Sequence, residues 1–534
     1  MRIRLWCRGR SVWVLAGVAL VLTGCGRPSG HGRPSVQSSS GGEAGSASRS
    51  GGAGVSDTGD GLGGVSGRVR LSGGPLNADA LRESARSANL VICVIDAARA
   101  DHVGCYGYPR ETTPNMDRLA GESVVFEQYF APYPHTKPST VSLFTGQYPD
   151  THLVADWRAM KTDGFSMANV LESVGFQSVF LSSSPMASPG MGVGKDFEFA
   201  CGREMARSPG GGIRRRGRAR WQGAGGWKTP EELVRAFSGW LEAERTGRFF
   251  TYVHFLPPHI PYEAPEDMQE LFAGKEPPNA WQGKFAFREV EEEYTWEAPP
   301  LKEWVNSYDA NMRWADWAVG EIEKELRESD LLENTLLVVT SDHGEAFGEH
   351  GYRRHVYGVY DELLHVPLLV RFPGAERVTG RVGALTQTVD LLPTVLDLFR
   401  IPCPEEGIQG RSLLPVVTGA VERVRDYVYA TCDGEARSYL VRDHDWSLIL
   451  WEGGEFRALY DLREDPRQTR NVIGENPGRA AQMVNAFRRF AAEQTSPPME
   501  FVDPKAKRGE LPSAPEVTLS EEQRRELKAL GYMD

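Results

Sequence analysis

Six apolar runs constrain this chain more than anything else in it. NLVICVID (89–96), VVFEQYF (124–130), SVFLSSS (178–184), FFTYVHF (249–255), TLLVVTSD (335–342) and VPLLVRF (366–372) have strand length and are rich in β-branched and aromatic residues. The first of them is the kind of run that forms a strand buried on both faces. Helical stretches lie between them. Thr113 is placed to cap a helix whose first position is Pro114, Thr229 and Glu232 make a capping box for a helix running to about Glu244, and a long helix is predicted from about Ser307 to Glu328. This alternation predicts an α/β fold, a mostly parallel sheet with helices on both faces. Ligands of such sheets bind beyond the carboxyl ends of the strands, and Asp96, His254 and Asp342 lie at or near those ends. Beyond residue 415 the texture changes to YVYATC, RSYLVRD, WSLILW and FRALYDL, which predict a small antiparallel sheet with a helix from about Pro477 to Glu493 packed on it.

The stretch SDHGEAFGEHG, Ser341 to Gly351, directly follows a predicted buried strand. A carboxylate and an imidazole side by side on such a loop can reach one divalent cation if distant segments complete its shell; alone, the stretch also reads as an acidic Gly-rich loop with incidental histidines. Other segments decide between the two. IDAARADHVGCYGYPRETTPNMDRLA, around Asp96, resembles the first motif of the sulfatase family. In HTKPSTVSLFTGQYP, His135 to Pro149, the residues Ser142, Leu143, Thr145, Gly146, Tyr148 and Pro149 resemble that family's nucleophile segment. HFLPPHIPYEAP (254–265) resembles its substrate-side histidine motif, HVYGVYDELLHVPLLVRFPG the segment after its Asp-His-Gly, and VDLLPTVLDL and ALYDLREDP its later signatures. From about residue 88 to 475 the chain is identified as a member of the alkaline phosphatase superfamily, sulfatase branch, which implies the alkaline-phosphatase-like fold.

The resemblance implies a metal held by Asp96, Asp342, His343 and the oxygen of Thr136. Many relatives carry a second aspartate where this chain has Ala97. Two carboxylates, one imidazole and a hydroxyl suit tetrahedral zinc better than calcium, with manganese also open. Thr136 stands where relatives have the cysteine or serine that becomes formylglycine, and Thr140 where they have arginine. Threonine lacks that oxidation route, yet a metal can still acidify its hydroxyl for in-line attack. Phosphorus accepts the second attack that frees the enzyme more readily than a sulfate ester does. The resemblance further implies His259 and His355 as catalytic groups on the ester oxygens, with Arg353 and Arg354 near the latter, and Arg99 as substrate-binding, although Arg99 also reads as a brace through Asp101. Lys137 and Ser139, which flank Thr136, and His254, on the predicted strand before His259, are read as further substrate-binding residues. His350 and His365 read as structural. The expected activity is metal-dependent hydrolysis of sulfate or phosphate esters of a small molecule, glycan or lipid. A phosphoethanolamine-type transferase and a catalytically silent binding lipoprotein are the alternatives.

The net charge of -12 repels nucleic acid, which excludes that partner. The basic run Arg214 to Arg220 reads as a solvated loop in a Gly-rich stretch. Five cysteines, Cys93, Cys105, Cys201, Cys403 and Cys432, lie scattered outside the leader, a spacing that leaves room for one or two bridges and suggests no metal finger. Arg2, Arg4, Arg8 and Arg10 precede an apolar stretch from Val12 to Leu22, the order of an export signal, and Leu22 to Cys25 resembles a bacterial lipobox. The expected plan is a lipoprotein signal over 1–25, a flexible Gly/Ser tether over 26–86, a catalytic domain over 87–415, and a C-terminal subdomain and tail over 416–534. Such a protein is exported and held at a membrane of the bacterial cell envelope by lipid on Cys25. Cys25→Ala should therefore leave unprocessed precursor, seen as a slower band on a gel of membrane fractions; normal processing and release of that variant would sink the lipoprotein reading.

Overall fold

The computed structural model describes residues 70–71, 76–154, 166–202, 213–215, 220–221, 229–278 and 301–494 apart from short gaps, all within the compact unit Gly64–Asp534. Cys25, most of the expected tether and the tail lie outside the described residues, as do residues 279–300.

The main sheet contains β1 (Arg70–Leu71), β2 (Asn89–Ile95), β3 (Val124–Phe130), β4 (Gln177–Ser182), β5 (Phe199–Gly202), β6 (Ile213–Arg215), β7 (Arg220–Trp221), β8 (Phe249–Phe255) and β9 (Thr335–Thr340). A hairpin of β10 (Ala346–Phe347) and β11 (Arg353–Arg354) follows, after which β12 (Leu368–Arg371) and β13 (Val378–Gln387) rejoin the sheet. Its order is β1-β13-β3-β12-β9-β2-β8-β4-β5-β6-β7. The pairs of β2 with β8 and β9, of β4 with β5 and β8, and of β3 with β13 are parallel. β12, expected among the strands, runs antiparallel to both its neighbours. The basic run read as a loop instead contributes the short edge strands β6 and β7, antiparallel to each other.

Strand periodicity divides the core into two layers. Leu90, Ile92 and Val94 of β2 join Leu336 and Val338 of β9 and Phe250 and Tyr252 of β8 in one layer, under the helix Leu391–Leu398. Val91, Cys93 and Ile95 join Leu337, Val339 and Val253 in the other, under the helices Pro230–Ala243 and Leu301–Glu328. The Thr229–Glu232 capping box forms as its residues imply, and the long helix begins earlier than expected. The body also begins earlier: the helix Ala78–Ser84, within the stretch read as tether, buries Leu81 in the first layer. Cys93, Cys105 and Cys403 are unbridged thiols.

β14 (Val428–Cys432), β15 (Ser438–Arg442), β16 (Trp446–Trp451) and β17 (Arg457–Asp461) form the expected antiparallel sheet. One of its faces puts Ala430, Leu440, Ile449 and Ala458 into the main core, and the other puts Val441, Leu448 and Leu459 against Met483 and Val484 of the helix Pro477–Glu493. The second segment is thus welded to the first rather than separate from it.

The helix Pro114–Ala120 shows tertiary structure overriding a local cap. Thr113 occupies the cap position but makes no capping bond; its Oγ1 accepts from Gly104 N at 2.8 Å. The helix N-terminus is satisfied from the long helix instead, by Asp316, which accepts from Asn115 N at 3.0 Å and Met116 N at 2.8 Å. Burial pushes the Asp316 carboxyl up to about 6. Because the folded-state value is raised, the contribution is present in full below the ordinary 3.8 and is lost as pH rises through about 6. The stability difference between wild type and Asp316→Asn, measured by urea unfolding from pH 3.8 to 6.5, should therefore move against wild type by on the order of 2 kcal/mol as pH rises. A difference that stays flat with pH would show that Asp316 does not titrate there.

Candidate active site

Beyond the carboxyl ends of β2 and β9 the sheet register sets two acids side by side. Val94 pairs with Thr340, so Asp96 and Asp342 follow their strands on one edge, and Asp96 N still donates to Phe255 O of β8 at 2.9 Å. His343 completes a convergent set: its Nε2 lies 3.5 Å from Asp96 Oδ1 and 3.5 Å from Asp342 Oδ2. Ligand atoms of the three residues all lie within 4.8 Å of one another, and all three residues are buried. Among the described residues nothing donates a hydrogen bond to Asp96 Oδ1 or Asp342 Oδ2. Buried carboxylate oxygens without donors are costly unless a cation meets them, so this donor set fits a divalent metal.

The outward-facing atoms of the set are pinned. Asp342 Oδ1 accepts from His343 N at 3.0 Å and Ala97 N at 3.2 Å. His343 Nδ1 lies 2.8 Å from Gly344 O, a carbonyl that only accepts, so Nδ1 carries the proton and Nε2 presents its lone pair to the carboxylates. Gly344 is required there, since a Cβ would fall 2.1 Å from Glu362 O. Ala97 holds a left-handed φ of 61°, an uncommon conformation for a residue with a Cβ. Tyr308 OH, donating to Ala97 O at 2.8 Å, fixes it.

Thr136 enters from the other side. It opens the helix Thr136–Thr145, in which all ten residues are buried, and its Oγ1 lies 3.2 Å from His343 Nε2. Backbone N–H groups of such a helix start favour negative charge, which suits an alkoxide or an ester oxygen there. The helix ends on Gly146 at φ 65°, where a side chain would meet Ile408.

Four imidazoles crowd this opening. His343 stacks on His355 at 4.4 Å between ring centroids, His259 lies 4.8 Å from His355, and His135 lies 5.7 Å from His355. Burial pushes His259 down to about 4, and burial with neighbouring His343 and His259 pushes His355 well below the ordinary range. His259 Nδ1 donates to Ile260 O at 2.6 Å, so proton transfer at this ring falls to Nε2. Burial pushes the Glu345 carboxyl up to about 8, and its Oε1 lies 3.3 Å from His355 Nδ1. The two aspartates differ. Burial and then the charge of Asp96 raise Asp342, whereas Asp96, against the same burial, is held below the usual carboxylate range by His259, His254 and His343.

Thr136, His259, His355, Asp96, Asp342 and His343 are thus brought together, with Lys137 fully buried beside Thr136. Three expected substrate contacts are corrected. Arg99 donates to Asp101 at 2.8 and 2.7 Å, to Glu349 at 2.6 Å and to Glu345 O at 3.0 Å, which commits its guanidinium to bracing two loops. Ser139 donates to Asp342 O at 2.5 Å and so ties the helix Thr136–Thr145 to the loop of Asp342 and His343. His254 is engaged at both nitrogens, by Asp96 Oδ2 at 3.2 Å and Tyr252 OH at 2.8 Å, and supports the carboxylate rather than a substrate. His350, on Glu362 at 2.8 Å, and His365, on Glu127 O at 2.8 Å, are structural as expected.

Sequence reasoning missed His135, Glu345 and Tyr252. Tyr252 was within reach, because it lies two residues before His254 on one strand and so shares its face. Glu345 stood inside the Asp-His-Gly stretch, but only its burial makes it unusual.

The sulfatase family model matches residues 88–401, and a model of the C-terminal region of N-sulphoglucosamine sulphohydrolase matches residues 348–491. The ulvan-active sulfatase of Formosa agariphila is 27% identical over 413 residues, which cover 72% of this chain and 77% of that protein. Arylsulfatase K of Gallus gallus is 36% identical over 179 residues, which cover 30% of this chain and 32% of that one. Among solved structures, the phosphonate monoester hydrolase of Agrobacterium radiobacter matches with a TM-score of 0.64 at 20% identity, covering 76% of this chain and 96% of that one. A protein in complex with its substrate D-glucosamine-2-N,6-O-disulfate matches with a TM-score of 0.63 at 20% identity, covering 76% and 98%. Sequence, fold and site agree: this chain belongs to the sulfatase family of the alkaline phosphatase superfamily and is a sulfuric ester hydrolase.

Proposed function

We propose that this hydrolase cleaves anionic monoesters of a glycan with Thr136 as nucleophile and one divalent metal, zinc, held by Asp96, Asp342, His343 and the Thr136 oxygen. The carrying observation is the 3.2 Å approach of Thr136 Oγ1 to His343 Nε2, the nitrogen that also faces both orphan carboxylate oxygens. The names of the ulvan-active sulfatase and of the N-acetylglucosamine-6-O-sulfatase of Bacteroides thetaiotaomicron support a sugar ester as substrate. Attachment to a membrane through Cys25 belongs to the same proposal.

When bound, the metal supplies positive charge that acidifies the Thr136 hydroxyl and neutralises the ester oxygens. The residues do the rest. Thr136 gives its hydroxyl proton to His259 Nε2 as its Oγ attacks sulfur in line, the bond to the substrate alcohol breaks, and that same proton passes from His259 Nε2 to the departing alcohol. Water then attacks the same sulfur and gives one proton to His259 Nε2, which passes it to Thr136 Oγ as the bond to threonine breaks and hydrogen sulfate departs. His355, held from Nδ1 by Glu345, lies where it can steady the ester oxygens. A second reading, phosphate or phosphonate monoesters, is favoured by Thr136 itself, because a threonine ester must be opened at its central atom and phosphorus allows that more readily than sulfur.

Metal content gives the first check. Wild type purified without added metal should hold one zinc per chain by mass spectrometry, and Asp342→Ala should hold almost none. Chelation should lower the unfolding temperature of wild type but not of Asp342→Ala, since bound metal stabilises only the folded state. A wild type free of transition metal, or one holding two, would contradict the single-zinc reading.

Thr136→Ala should lower kcat by about 10³-fold or more on whichever of 4-nitrophenyl sulfate, 4-nitrophenyl phosphate and phenylphosphonate esters wild type turns over best. Its stability should change by only about 1 kcal/mol. Thr136→Ser should keep part of the rate, and acid quench should trap a covalent ester on Thr136. Full kcat in Thr136→Ala would remove threonine from the mechanism.

A further inference from the structure

Cations near the site fall into two kinds. Arg99 is saturated by Asp101 and Glu349, and elsewhere Arg110, Arg371, Arg425 and Arg442 also have carboxylate partners. Arg354 is different. Half-buried, it forms no side-chain hydrogen bond or ion pair with any described residue. Its place is fixed by the fold: in the β10–β11 hairpin it pairs with Ala346, next to Glu345, and it immediately precedes the fully buried His355. Its backbone sits at a φ of 65°, a left-handed conformation that residues with a Cβ adopt mainly where the surroundings impose it. The Arg354 charge acts on His259, His355 and Glu345, which places the guanidinium beside the imidazole cluster.

The layer next to the reacting atoms is already filled by fully buried groups, Thr136, Lys137, His259 and His355. Arg354 belongs to the next layer outward, where the alcohol part of an ester would lie. Its neighbours there suit a ring: Arg353 Cζ lies 5.7 Å from the Trp304 ring centroid, and Trp304 Nε1 donates to Tyr262 OH, three residues beyond His259. A half-buried guanidinium with no carboxylate partner among the described residues is an incomplete ion pair, and a planar anion completes it with paired hydrogen bonds.

We propose that Arg354 binds a second anionic group, a carboxylate or sulfate carried by the alcohol part of the ester, so that the preferred substrates are esters with charge at two positions. This rests on the ester-hydrolase reading above and deepens it. The test uses Thr136→Ala protein, which holds ligand without turnover, and two probes of one shape, 4-(sulfooxy)benzoate and 4-(sulfooxy)benzamide. Calorimetry should show the benzoate bound about tenfold more tightly than the benzamide. Adding Arg354→Gln should bring that ratio close to one, and Arg354→Lys should keep part of it. No preference in the Thr136→Ala protein, or a preference that Arg354→Gln leaves unchanged, would overturn the proposal. Turnover of the benzamide ester by protein with Thr136 intact reports separately on the nucleophile. Failure of that turnover with the binding preference retained would count against threonine catalysis and for the Arg354 site.

Discussion

Two carboxylates buried side by side set the terms for the rest of the molecule. Asp96 and Asp342, both fully buried, each present one oxygen that has no donor among the described residues. Such a pair stays charged only where positive charge is fixed beside it, and the cost of burying it is met by the surrounding structure. Parallel pairing of β2 with β9, buried on both faces and clamped between two hydrophobic layers, is what keeps the two acids from moving apart.

Around that pair, orientation is decided by groups hydrogen-bonded within the protein. Gly344 O selects the His343 tautomer, Ser139 ties the helix Thr136–Thr145 to Asp342, and Tyr252 braces His254 against Asp96. Tyr252 is itself fixed, stacked on Phe180 at 5.2 Å and edge-on to Phe144 at 4.8 Å. Arg99 joins the loop after β2 to the loop after β9 through Asp101 and Glu349. Preorganisation of this kind lets a site act on charge as it develops without first rearranging.

The long-range packing serves the same end. Asp390, buried before the helix Leu391–Leu398, accepts from Gln387 N at 2.8 Å and Arg411 N at 2.8 Å and pairs with Arg425, next to the turn at Gly146 on which the helix Thr136–Thr145 ends. The C-terminal sheet presses one face into the first core layer, the layer that also holds Leu143 and Phe144 of the helix Thr136–Thr145.

Much of this was legible in the residues, and the division follows from range. Apolar runs of strand length, capping residues and the Asp-His-Gly stretch express local preferences, so strand positions, most helices and the metal-facing set Asp96, Asp342 and His343 could be read before any folding. The tether boundary was misread because Leu81 becomes buried only through a partner helix far along the chain. Thr113 lost its capping role to Asp316, and Arg99, Ser139 and His254 lost their expected substrate roles, because in each case a hydrogen-bond partner distant in sequence claimed the group first. Sequence by itself determined which residues could do chemistry, since that depends on side-chain type and local spacing. Only tertiary structure decided which of them remain available for it, since a donor or acceptor is spent or left open by whatever the fold brings within about 3 Å of it.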